Sequence, residues 1–340
     1  MEHPPNKWSI GKDTPIEWRY FNFKQKGLSG IFTYPLFNVG GVNKAYVASE
    51  LYMGGKSYGG PKILKLSDVS IKKNCVEFTK KDRIDFLNRN ETRIKGSVEK
   101  VSWNLKYTNN THHEFPMLMK EFGLGRRKNI SWKVFMPSAK VTGSIVLNGK
   151  RHRISADGYF DGNWGKWMMY DLRWNWLQFS RHRDKNNNFI VALGDLVGLN
   201  SGKVMVVHNG KKIIFDREKD IIRISQKKWE RKTDPNYPKE IDVSAENKNY
   251  RLDVHLMVTL TDDIIKKNQF PIPDVYIIEE NTNCHATLSE KKNGKLCLVN
   301  EYSGPGFSEY TTETYKRERQ FIRKILGKAI KKDTANICVG

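Results

Sequence analysis

Three Asn-Gly pairs constrain this chain more than any other feature. Asn148-Gly149, Asn209-Gly210 and Asn293-Gly294 each stand between β-favouring runs, in GSIVLNGKRHRI, VMVVHNGKKIIF and EKKNGKLCLV. Both residues of such a pair tolerate positive φ, which a two-residue type I′ turn needs, and that turn matches the twist of paired strands. Hairpins in both halves of the sequence predict antiparallel sheet throughout. Period-two alternation agrees: in SVEKVSWNLKY, Val101, Trp103, Leu105 and Tyr107 share one face, and in RLDVHLMVTL so do Val254, Leu256, Val258 and Leu260. The hairpins are unequally spaced, which argues against a propeller or solenoid and leaves an all-β sandwich or barrel.

At 340 residues the chain exceeds what one core usually serves, so about two domains are expected. Helical periodicity is confined to TTETYKRERQFIRKILGKAIKKD, where Ile322, Ile325, Leu326, Ala329 and Ile330 form one stripe and Lys and Arg fill the opposite face. A C-terminal basic amphipathic α-helix is expected, either packed across the protein or resting on an anionic membrane. The stretch 234–249, rich in turn residues, and FPIPDVY near 270 read as loops.

The formal charge of +22 raises nucleic acid and anionic membrane as partners. Most of the Lys is dispersed between strands, so the charge reads as compositional bias, and no nucleic-acid partner is expected. The N-terminus has no apolar core with a small-residue cleavage site, and no run of about 18 apolar residues occurs, so the expected location is cytoplasmic, with peripheral membrane contact as an option. Cys75, Cys284, Cys297 and Cys338 are scattered and read as reduced structural thiols. His112-His113-Glu114 could suggest a metal, but adjacent strand residues face opposite ways, so a polar loop is preferred and no metal site is expected. Phosphate-loop, dinucleotide and nucleophile-elbow motifs do not occur.

The segment DGYFDGNWGKWMMYDLRWNWLQ, 157–178, holds four of the nine Trp residues. If its first part is extended, Asp157, Tyr159 and Asp161 line one wall, while in its second part Trp174, Trp176 and Gln178 share a face. Gly162, Asn163 and Gly165 suit a tight or bulged turn between the two parts, bringing Trp164 and the two faces together. A carboxyl among indoles is poorly solvated when ionised, so its pKa rises toward neutrality and it can donate a proton. Aromatic faces then stabilise a carbocation. On the residues alone, an Asp capping a turn beside core Trp residues explains the same pattern.

The run GSIVLNGKRHRISADGYFDGNWG followed by WNW resembles the signature of the carotenoid hydratase (hydroxyneurosporene synthase) and tocopherol cyclase-like superfamily, which also includes fungal Diels-Alderases. The resemblance is specific from about 140 to 178, with echoes in SWKVFMPSAKVTGSI and LCLVNEYSGPG. It implies two lipocalin-like halves, over 1–168 and 169–340, with a pocket near their contact and no cofactor. It places the proton donor on Asp161 with Tyr159 before it, and loosely matches an upstream pocket aromatic to Trp132. The chain departs from the usual pattern at Gly162 and Phe160, where His is common, which puts an imidazole-dependent mechanism in doubt.

The expected function is a cofactor-free cyclase, hydratase or pericyclase acting on an apolar isoprenoid or polyene. Asp161 and Tyr159 would be catalytic, and Trp132, Asp157, Asn163, Trp164, Trp174, Trp176 and Gln178 would bind substrate. The alternative is a non-catalytic carrier that uses the same cavity.

Overall fold

The computed structural model describes residues 4–39, 42–111, 115, 117–167, 171–182, 188–230, 237–263 and 275–313. The described residues are nearly all strand, arranged as two curled antiparallel sheets that form half-barrels. The first sheet is built from β1 (Ile16–Gln25), β2 (Leu28–Val39), β3 (Val42–Met53), β4 (Lys56–Lys65), β5 (Ser70–Lys72), β6 (Cys75–Glu77), β7 (Arg83–Asn88), β8 (Glu91–Val98), β9 (Val101–Asn109), β10 (Leu118–Phe122), β11 (Lys128–Leu147) and β12 (Lys150–Lys166). The second comprises β13 (Arg173–His182), β14 (Asn188–Val197), β15 (Ser201–His208), β16 (Lys211–Asp216), β17 (Ile221–Glu230), β18 (Tyr237–Glu246), β19 (Tyr250–Asp263), β20 (Val275–Lys292) and β21 (Lys295–Glu313).

The strand order of the first sheet is β4-β3-β2-β1-β12-β11-β9-β8-β7-β6-β5, with β10 paired to β11, and that of the second is β16-β15-β14-β13-β21-β20-β19-β18-β17. All three Asn-Gly pairs form the expected hairpins, joining β11 to β12, β15 to β16 and β20 to β21. Their φ angles are positive at both positions, +50° and +81°, +47° and +75°, and +51° and +75°.

The expected loop at 234–249 is corrected by β18. Alternating burial of Pro238, Ile241, Val243 and Ala245 against half-buried neighbours is a strand pattern that its Pro and Asp residues disguise. Residues 264–274 and the expected C-terminal helix, including its basic face and Cys338, lie outside the described residues, as does His112-His113-Glu114. Among the described residues no helix is long and apolar enough to cross a membrane.

Side chains pack into three clusters because each strand presents alternate residues to opposite faces. Phe21, Phe160 and Trp103 belong to the core enclosed by the first sheet, and Leu177, Phe179 and Val191 to that of the second. The third cluster lies between the sheets and mixes Tyr20, Trp132 and Tyr159 of the first with Trp174, Trp176 and Ile190 of the second. Thus β12 divides Tyr159 from Phe160, and β13 divides Trp176 from Leu177. The candidate site sits in this third, shared layer.

Candidate active site

In register, Asn163 of β12 lies between Trp18 of β1 and Trp132 of β11. From the second sheet come Trp174 and Trp176 of β13, Gly194 and Leu196 of β14, and Glu309 of β21, which pairs with Trp176. These groups line a cavity of about 60 Å³ that opens to solvent. Its walls are mainly indole: Trp18 meets Trp167 edge-on at 5.5 Å between centroids, and Trp167 meets Trp174 edge-on at 5.9 Å. Gly194 is a close approach across the sheets, since a Cβ there would come within 2.9 Å of the Trp132 ring.

Asp161 faces this cavity from β12 and is 4% exposed. Its Oδ2 accepts two hydrogen bonds, from Trp132 Nε1 at 2.8 Å and from the Tyr159 hydroxyl at 2.8 Å. The Tyr159 oxygen in turn accepts from Trp176 Nε1 at 3.3 Å. Two donors of the first sheet thereby fix the carboxyl directly and Trp176 of the second sheet fixes it through Tyr159, and the convergence of the two direct donors on Oδ2 leaves Oδ1 as the oxygen able to carry a proton.

Burial pushes the Asp161 carboxyl up to about 7; the bonds from Trp132 and Tyr159 act against that rise, the Glu309 charge adds to it, and Arg19 opposes it. Burial, with the neighbouring Asp161 carboxylate, also holds the Tyr159 phenol well above its usual range. Tyr159 is therefore a fixed donor at neutral pH, and the titrating group of the pair is Asp161.

The structure gathers Asp161, Tyr159, Trp132, Asn163, Trp174 and Trp176 around the cavity. Three other expected residues lie elsewhere. Trp164 occupies the opposite face of β12, with the Arg19 guanidinium 5.9 Å from its ring, because β12 runs unbroken through the expected turn at Gly162, Asn163 and Gly165. Asp157 is exposed, and Gln178 lies one strand repeat beyond Trp176; both border a smaller hollow with Lys24 and Phe307. There Lys24 Nζ donates to the Gly306 carbonyl at 2.7 Å and ties the two sheets together.

Strand parity also settles the two missing imidazoles. Phe160 packs in the first sheet's core, and a side chain at Gly162 would point toward that same side, where its Cβ would come within 2.9 Å of Arg19 Cδ and Nη1. Neither position faces the cavity. Arg19 is fully buried, bonded to Glu17 Oε1 at 2.9 Å and to the Lys7 carbonyl at 2.7 Å, and lies 4.4 Å from the Trp8 ring.

Sequence reasoning missed Trp18, Tyr20, Trp167, Asn175, Asp195 and Glu309, which also line the cavity. Asp195 accepts from Arg217 Nε at 2.7 Å, and Glu309 Oε1 accepts from Trp174 Nε1 at 2.5 Å. A carboxylate inside the apolar run VALGDLV was the available signal for Asp195, and the i, i+2 pair Trp18 and Tyr20 in IEWRYFNF was the signal for β1. Two buried polar atoms of lining residues, Asn163 Oδ1 and Trp167 Nε1, have no hydrogen-bond partner among the described residues. Among the described residues no group of three or more His, Cys, Asp or Glu is placed to hold a metal ion.

No family model matches the sequence, and no curated protein does. Solved structures do. An AttH protein of Nitrosomonas europaea superposes with a TM-score of 0.63 at 13% identity, covering 87% of this chain and 92% of that one. Kievitone hydratase of Nectria haematococca superposes with a TM-score of 0.58 at 12% identity, covering 89% of this chain and 90% of that one. CghA in complex with Sch210972 gives 0.60 at 10% identity, covering 88% and 89%. The chain therefore has the two-sheet, lipocalin-like fold of these proteins over nearly its whole length.

Proposed function

We propose that this protein is an enzyme that hydrates, cyclises or folds an apolar isoprenoid or polyene in the cavity between its sheets, with Asp161 as the proton donor. The observation that carries this reading is one buried carboxyl, set in a wall of indoles, whose pKa lies near 7. A general acid works best when its pKa lies close to the working pH. Kievitone hydratase, whose name states a hydration, and CghA, solved with the small molecule Sch210972, share the fold and support an enzymatic reading.

In the proposed step Asp161 Oδ1 gives its proton to an alkene carbon, leaving the carboxylate on Asp161 and a cation on the adjacent carbon. The faces of Trp132, Trp174 and Trp176 stabilise that charge. Water, or a second alkene of the same guest, then forms the new bond, and the proton released returns to Asp161. Tyr159 and Trp132 hold the carboxyl through both halves of the cycle. For a cycloaddition the same wall would act by confining the guest in a reactive conformation.

Asp161→Asn keeps shape and removes the acid. Incubated with isoprenoid and polyene candidates and followed by mass spectrometry, the wild type is expected to yield hydrated or isomeric product, and the variant to be slower by at least about a hundredfold. Undiminished turnover by the variant would refute proton donation. Recovery of every bound candidate unaltered from the wild type would assign the cavity to carriage.

A further inference from the structure

The cavity is apolar in its walls but not in its bonding. Asn163 and Trp167 both line it and are 8% and 2% exposed, and neither Asn163 Oδ1 nor Trp167 Nε1 has a hydrogen-bond partner among the described residues. Buried polar groups are almost always satisfied, so an orphaned acceptor and an orphaned donor in one cavity describe the complement of what fills it. Trp18 links the two: it pairs with Asn163 in register, and its ring packs on Trp167.

We propose that the cavity takes an oxygenated guest, a long apolar molecule with a hydroxyl seated between Asn163 Oδ1 and Trp167 Nε1. A hydroxyl is the smallest group that donates to the first and accepts from the second. Asn163 lies two residues from Asp161 on the same face of β12, a rise of about 7 Å along the strand. The hydroxyl is thus held at one end while carbons several bonds away lie against the acid. This assignment rests on the proposed function for its choice of an isoprenoid skeleton but not for the presence of the anchor.

The test uses farnesol, farnesyl methyl ether and farnesene, followed by the change in tryptophan emission of the whole protein. The alcohol is expected to bind at least about tenfold tighter than the hydrocarbon, with the ether, which accepts but cannot donate, between them. Asn163→Leu, close in volume, should make alcohol and ether bind alike. Trp167→Phe, which keeps a ring and removes the donor, should bring both down toward the hydrocarbon, and it serves if the first variant fails to fold.

Equal binding of farnesol and farnesene by the wild type, as when an ordered water already holds both atoms, would overturn the anchor. So would an alcohol preference that survives both substitutions, or a failure of all three probes to bind. Loss of the anchor with turnover still dependent on Asp161 leaves the enzymatic reading intact; an anchor that stands while Asp161→Asn turns over normally removes that reading alone.

Discussion

Trp132 and Asp161, on neighbouring strands of the first sheet, are joined by an indole N–H that donates to the carboxyl at 2.8 Å, while the same indole ring lies against Gly194 of the second sheet. The bond favours the ionised carboxyl and so acts against burial. Trp132→Phe removes it and is expected to raise the Asp161 pKa above about 7. In the proposed step the protonated form is the active one, so the alkaline limb of the rate profile should move to higher pH. A limb that stays in place or moves down would show that the indole does not tune the acid.

The same carboxyl links stability to pH. A folded pKa near 7 against an ordinary value of 3.8 means that the folded chain holds a proton that the unfolded chain has released. Stability contributed in this way is full below about pH 4 and declines as pH rises to about 7, by a total on the order of 4 kcal/mol. Asp161→Asn should abolish that decline. Urea midpoints measured across the interval check it, and equal slopes for both proteins would contradict it.

Gly162→Ala should destabilise the fold by about 1–3 kcal/mol, since the new methyl would crowd both the Arg19 side chain and the Trp18 carbonyl. Displacing Arg19 would also strip Glu17 of its buried counter-charge. The methyl points away from the cavity, so the melting temperature should fall while the pH profile of turnover stays where it is. A shifted profile would place Gly162 nearer the chemistry than its strand face allows.

Lys24 offers an independent check on how the sheets are joined. Burial lowers its ammonium to about 7. Between about pH 7 and pH 10.5 the unfolded chain therefore binds a proton that the folded chain lacks, and wild-type stability should rise with pH across that window. Lys24→Met removes the titrating group, so its stability relative to wild type should be greatest below pH 7 and fall steadily above it. A pH-independent difference would mean that the amine is not desalted of its charge by burial.

The hairpins were legible because Asn-Gly turns are local chemistry that no distant contact overrides, and the all-β architecture followed from them. β18 was not, since Pro238 and its polar neighbours look like a loop until the buried partners Ile241, Val243 and Ala245 are seen against β19. In the site, Asp161, Tyr159, Trp174 and Trp176 could be assigned to faces by alternation alone. Trp164 could not, because two glycines suggested a turn where β12 continues straight through, and one uncertain residue of register reverses every face beyond it. Glu309 was out of reach for a different reason: it enters the cavity only because β21 pairs with β13, a contact made across more than a hundred residues.

The chamber belongs to neither half-barrel. Each interior is filled by its own side chains, and the cavity is what remains where the outer faces of the two sheets meet. Its width is accordingly a property of mounting: a slight slide or tilt of one half on the other would admit a bulkier guest without replacing any residue that touches it. Substitutions at the ties between the halves, far from Asp161, should therefore alter which molecules are accepted before they alter how the proton moves.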